Sequence, residues 1–352
     1  MGARVIVKTD SSEQLQEMNP VRGYQSSVDY VLNFGIGKQK QIKEIKVFWS
    51  ADSVTIITNP PINKLVEVKK EFAIPVIDTH SRTKPSPLFT DISNESGMDF
   101  IHRENNYVDF KREYLIPYQL SRQGPKMAKA DVNSDGLEDV YIGGAAGQSG
   151  ILYLQFPGNK FKKASSQPWR SDSLSEDVGS LFFDADNDGD MDLYVTSGSN
   201  EWLMPGPELQ DRLYLNDGNG NFNKKNDALP PEVSSGSCVT ASDFDKDGDM
   251  DLFVGARTFP GYYPLSAGNI FLRNDFDKAT GQLGFTDITK NISGDEVFKV
   301  GMVTDATWTD IDKDGWPDLV VLGDWMPLVI LHNDAGKKFS NYSETAGLRK
   351  TN

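Results

Sequence analysis

The chain has 352 residues, enough for about two domains with a sizeable core, and carries 36 Lys and Arg against 51 Asp and Glu, a net charge of −15. That acidic balance, with no basic patch to offset it, argues against nucleic acid as a partner. The single cysteine, Cys238, excludes an internal disulfide and a thiolate zinc cluster, and no apolar run reaches membrane-spanning length.

From the N-terminus, GARVIVK, VDYVLNF, IKEIKVFW and SVTIIT are short alternating or apolar runs rich in β-branched and aromatic residues. They predict a small β-domain over residues 1–72. Met1 leads straight into strand-like sequence with no signal peptide, so the chain is expected to begin within a longer protein. Residues 73–87 (AIPVIDTHSRTKPSP) read as a linker, because their prolines discourage regular structure.

Residues 88–352 repeat. Each unit opens on a small-residue strand (GPKMAKAD, VGSLFFD, GSCVTASD, GMVTDATWTD) and passes through an acidic loop into a β-branched strand. A variable connection then leads to a third strand (GILYLQF, DRLYLND, NIFLRND, LVILHND), and a glycine-rich turn to a phenylalanine: Phe161, Phe222, Phe285 or Phe339. The loops begin at residues 131, 184, 243 and 310, a period suited to a four-stranded propeller blade. The segments 88–100 and 339–352 both carry the fourth-strand pattern, so the repeats predict an open arc of about four to five blades.

The acidic loops are DVNSDGLED (131–139), DADNDGDMD (184–192), DFDKDGDMD (243–251) and DIDKDGWPD (310–318). An oxygen-bearing side chain stands at positions 1, 3, 5 and 9 of each. These residues are Asp131, Asn133, Asp135 and Asp139; Asp184, Asp186, Asp188 and Asp192; Asp243, Asp245, Asp247 and Asp251; and Asp310, Asp312, Asp314 and Asp318. Glycine at position 6 allows a positive φ, and position 7 (Leu137, Asp190, Asp249, Trp316) is expected to offer its backbone carbonyl. Such loops suit Ca²⁺, which takes six to eight oxygens at about 2.3–2.6 Å. Without an ion the crowded carboxylates would repel one another. About four Ca²⁺ are therefore expected, one per loop. Solvated Asp-Gly turns would account for one loop, but not for four in register.

An EF-hand would need a bidentate glutamate at position 12 and flanking helices. Position 12 is Ile142, Val195, Val254 or Val321, and strand-forming sequence follows each loop.

Residues 1–72 resemble the ASPIC/UnbV domain through GARV (2–5), RGYQSS (22–27), NFGIG (33–37) and KEIKVFW (43–49), departing from its pattern where Ser50-Ala51-Asp52 replaces Pro-Ser-Gly. Residues 88–352 resemble the FG-GAP/VCBS-type repeats of integrin-like propellers, and the whole is similar to the cartilage acidic protein family. The resemblance implies an all-β chain: a calcium-binding β-propeller, normally seven-bladed and here partial, preceded by the small ASPIC/UnbV-like domain. It also implies an extracellular or cell-envelope location.

The connections SNEWLMPGPELQDR, RTFPGYYPLSAGN and DWMPL leave the second strands at the end opposite the acidic loops. They would gather Trp202, Arg257, Tyr262, Tyr263 and Trp325, a set suited to stacking on sugars or anchoring a protein. Packing between blades is the competing reading. The histidines His80, His102 and His332 and the remaining motifs give no catalytic constellation. The expectation is a non-catalytic calcium-binding module that recognises a glycan or protein ligand at the cell surface. The alternative is a calcium-dependent enzyme acting on extracellular polysaccharide.

Overall fold

The structure, a computed structural model, describes residues 2–23, 26–50, 53–76, 88–202, 206–231, 234–292 and 300–348. The chain divides into two compact units, Met1–Thr90 and Asp91–Asn352. Residues 77–87, most of the proline-rich segment, and Ala51 and Asp52 lie outside the described residues.

The first unit holds β1 (Arg4–Lys8), β2 (Glu13–Glu17), a two-stranded ribbon of β3 (Val21–Gly23) and β4 (Ser26–Ser27), then β5 (Glu44–Ser50), β6 (Ser53–Thr58) and β7 (Ile74–Pro75). The order β2-β1-β5-β6-β7 makes one antiparallel sheet. Alternation puts Val7, Ile45 and Val47 on one buried face with Val5, Trp49 and Ile57 against them. Trp49 Nε1 donates to Thr55 Oγ1 at 2.7 Å, giving the half-buried indole its polar partner.

Among its described residues the second unit holds four antiparallel blades of four strands each. They are β8 (Met127–Ala130) to β11 (Lys160–Lys163), β12 (Glu176–Phe183) to β15 (Phe222–Lys224), β16 (Ser235–Ser242) to β19 (Phe285–Asp287), and β20 (Met302–Thr309) to β23 (Phe339–Asn341). First strands touch first strands of neighbouring blades, so β8, β12, β16 and β20 are innermost. Of the second strands β9 (Asp139–Ile142), β13 (Asp192–Gly198), β17 (Asp251–Thr258) and β21 (Asp318–Asp324), β13 and β17 are apolar on both faces because they lie between blades, whereas β21 leaves Leu322 exposed on its outer face. Leu193 and Val195 face the first blade while Tyr194 faces the third. Leu252 and Val254 face the second blade and Phe253 the fourth. The phenylalanines read as a repeat mark lie at the beginning of the fourth strands, Phe161 as the second residue of β11 and Phe222, Phe285 and Phe339 as the first of theirs, and these last three seal the layers between blades.

Two expected strands do not form: the VDYVLNF run (28–34) has no regular structure and leaves Val28, Tyr30 and Val31 exposed instead of packed on the sheet, and a second is missing before the first blade. Residues 88–100 carry the fourth-strand pattern, yet no described strand pairs with them; a short helix, α1 (Ser93–Ser96), stands there, and Leu88 and Phe89 are exposed. A strand needs a neighbour to take its backbone hydrogen bonds, and the first blade's outer place is already held by β11.

Candidate metal centres

Every acidic loop joins the first strand of a blade to the second, and all four fold alike. The position-1 carboxylate accepts the N–H of the position-6 glycine: Gly136 to Asp131 at 2.7 Å, Gly189 to Asp184 at 3.1 Å, Gly248 to Asp243 at 3.1 Å and Gly315 to Asp310 at 3.0 Å. The position-5 carboxylate accepts the N–H of position 7, at 2.8–3.0 Å in all four. These glycines have φ of 84–96°, where a side chain would be strained. Position 4 is also left-handed without being glycine: Ser134, Asn187, Lys246 and Lys313.

Position 9 has a second task that sequence reasoning missed. Asp139, Asp192, Asp251 and Asp318 are fully buried and each clips two backbone segments. One oxygen accepts the N–H of position 2, namely Val132, Ala185, Phe244 or Ile311, at 2.9–3.3 Å. The other accepts an N–H of the third strand, from Gln155, Asn216, Asn274 or Asn333, at 2.7–2.9 Å. The recurrent Asn in the third-strand pattern was the visible signal. Burial pushes the Asp192 carboxyl up to about 7 and that of Asp251 up to about 8, with loop neighbours adding to the rise against the backbone donors.

Two oxygens that each lie about 2.4 Å from one calcium cannot be more than about 4.8 Å apart. Asp184, Asp186 and Asp192 meet that limit in the second loop, and Asp243, Asp245 and Asp251 in the third. In these two loops Asp184 Oδ1, Asp186 Oδ1 and Asp243 Oδ1 are buried with no hydrogen-bond partner among the described residues. An anionic oxygen sealed from water needs a cation or a donor, so this donor set fits a hard dication. The fourth loop brings together Asp310, Asp312 and Asp314, all exposed. It also brings together Asp312, Asp318 and His332, with Nδ1 at 3.0 Å from Asp318 and 3.5 Å from Asp312. The imidazole is a donor that the sequence reading passed over. In the first loop, with Asn133 at position 3, no trio of carboxylates comes that close among the described residues.

Position-7 side chains are not idle. Asp249 accepts from Asn187 of the preceding blade, and Trp316 lies under Lys246, whose Nζ is 4.1 Å from the ring centroid.

The aromatic connections emerge at the opposite end of the strands. Tyr262 and Trp325 are exposed, at 63% and 82%, while Trp202 and Tyr263 are partly buried. Arg257 is engaged by Asp324 and Tyr118, and reaches Gln123 at 3.2 Å. Residues 105–123 of the same chain reach into these connections: Glu113 accepts the N–H of Tyr263 at 2.7 Å, and Arg112 donates to the carbonyl of Asn200. Buried Asp109 accepts from Ser121 and from Asn200 Nδ2. His102 makes a structural hydrogen bond, Nε2 to Glu104 at 2.7 Å.

Residues 1–74 match the ASPIC and UnbV family, and residues 131–195 and 196–254 match the FG-GAP-like repeat. The chain joins an ASPIC/UnbV domain to FG-GAP-like repeats. The first match runs from Asp131, the first aspartate of its loop, into β13, and the second from Thr196 within β13 to Val254 in β17, so each sequence unit straddles two structural blades. No curated protein matches the chain. No described helix is long and apolar enough to cross a membrane.

Proposed function

We propose that this chain is a non-catalytic, calcium-binding extracellular module of adhesion or ligand recognition, in which ions brace the blades at one end and the aromatic connections meet a glycan or protein at the other. The observation that carries the calcium reading is the trio of orphaned buried oxygens on Asp184, Asp186 and Asp243, inside loops whose carboxylates already converge. When bound, the ion supplies positive charge that pairs with these carboxylates. The side chains of positions 1, 3, 5 and 9 would hold it, with the position-7 carbonyl. The FG-GAP-like repeats support an integrin-like extracellular setting, where free calcium is high enough for sites of 10⁻⁴–10⁻³ M to fill.

Recognition would fall to Tyr262 and Trp325, whose exposed rings offer stacking area at small conformational cost. A glycan and matrix-protein array probed in calcium and in EDTA tests both parts. Calcium-dependent capture that Tyr262→Ala with Trp325→Ala abolishes supports the reading. Release of reducing or unsaturated sugar ends during incubation would instead make the chain an enzyme.

A further inference from the structure

The loops are not separate. Asn274 donates through Nδ2 to the carbonyl of Ala185 in the second loop at 2.8 Å, while its N–H donates to Asp251 Oδ1 in the third loop at 2.9 Å. Asp251 Oδ2 accepts the N–H of Phe244, and the Phe244 carbonyl accepts Nδ2 of Asn333 at 2.9 Å. The N–H of Asn333 then reaches Asp318 in the fourth loop at 2.9 Å. Upstream, Asn216 spans the first and second loops in the same way, from the carbonyl of Val132 at 2.8 Å to Asp192 at 2.8 Å. One hydrogen-bonded relay thus threads all four loops, and the three asparagines and the carboxylates they hold are buried. No water can replace a lost partner there, so a displacement in one loop must be taken up by the next. A second link lies nearer the surface, in Asn187 on Asp249 and Lys246 over Trp316. Both donors sit at the left-handed position 4, so their aim depends on the conformation of their own loop.

We propose that cations bind these loops in series, an ion in one loop raising the affinity of the loop in the next blade through Asn216, Asn274 and Asn333. The proposal rests on the calcium reading above. An ion that settles the ninth aspartate of the third loop also settles Asn274, and with it the Ala185 carbonyl of the second loop. That loop is then ordered before its own ion arrives, and its ordering no longer has to be driven by binding.

Calorimetric titration of the intact chain with Ca²⁺ tests this. A chain keeping only the third loop (Asp135→Ala, Asp188→Ala, Asp314→Ala) should bind about fivefold or more weakly than one that also keeps the second loop, which should titrate with a Hill coefficient above one. Asn274→Leu in the two-loop chain should bring its affinity down to the single-loop value. If that variant fails to fold by circular dichroism, Asn187→Ala, which leaves every ligand in place, should still lower the Hill coefficient. Equal affinities in the one-loop and two-loop chains, with a Hill coefficient of one, would overturn the coupling while leaving calcium binding intact. Absence of any Ca²⁺ binding would remove the calcium reading itself, and the coupling with it.

Discussion

Arg212 on β14 (Arg212–Asn216) and Asp177 on β12 form a buried ion pair, Nη2 to Oδ1 at 2.7 Å, with both side chains 3% exposed. The other oxygen of Asp177 accepts the Tyr141 hydroxyl at 2.9 Å and the Gly144 N–H at 2.7 Å, both in the first blade. A charge pair inside one blade is thereby also the tie to the next. Removing one partner strands the other in a water-free site, which costs about 3–5 kcal/mol. Asp177→Ala is expected to lose that much in equilibrium urea unfolding; a loss below about 1 kcal/mol would mean that water reaches Arg212.

Chelation should reduce stability. A site held 100-fold above its Kd contributes about 2.7 kcal/mol, and a domain of this size moves by about 2–4 °C per kcal/mol. The second and third loops together should therefore lower Tm by about 10 °C or more in excess EDTA, with recovery on adding calcium back. Scanning calorimetry reads the shift, and an unchanged Tm would take the ion out of the stability account.

Glu176 should give the chain a pH dependence distinct from that of the loops. It is fully buried, accepts one backbone N–H from Gln123 at 3.2 Å, and has the Ser199 hydroxyl beside its carboxylate. Burial, with the Glu104 carboxylate adding to it, pushes its carboxyl from 4.5 up to about 8. Between those values the folded chain keeps a proton that the unfolded chain releases, so stability falls as pH rises through that window and levels off above it. Glu176→Gln has nothing to titrate. Its stability relative to the parent should therefore climb from pH 5 to pH 8.5, by a few kcal/mol at about 1.4 kcal/mol per unit. Urea midpoints at the two pH values decide it; a constant difference would show that Glu176 is already ionised in the fold.

Gly255 on β17 has no room for a side chain. A Cβ there would stand 2.6 Å from Cys238 Sγ and 2.7 Å from Val303 Cγ1, at the seam of the third and fourth blades. Gly255→Ala is expected to cost about 1–3 kcal/mol through overpacking, and Cys238→Ala in the same chain should recover part of it. Thermal melts of the single and double variants make the comparison.

The sequence alone determined what depends on near neighbours in the chain. The loop geometry arises from hydrogen bonds two and five residues apart, from Asp131 to Gly136 or Asp135 to Leu137, so spacing and glycine placement were enough to read it. The strands of the blades and the phenylalanine at the beginning of each fourth strand were legible for the same reason, since a blade's period is written in consecutive residues. Only the tertiary structure decided which carboxylates stay solvated, which are sealed, and what they hold. Asp192 meets Asn216 across 24 residues, Asn274 meets Ala185 across 89, and Glu113 meets Tyr263 across 150. Burial and hydrogen-bond pairing at those separations are set by how blade packs on blade, and no local pattern encodes that packing.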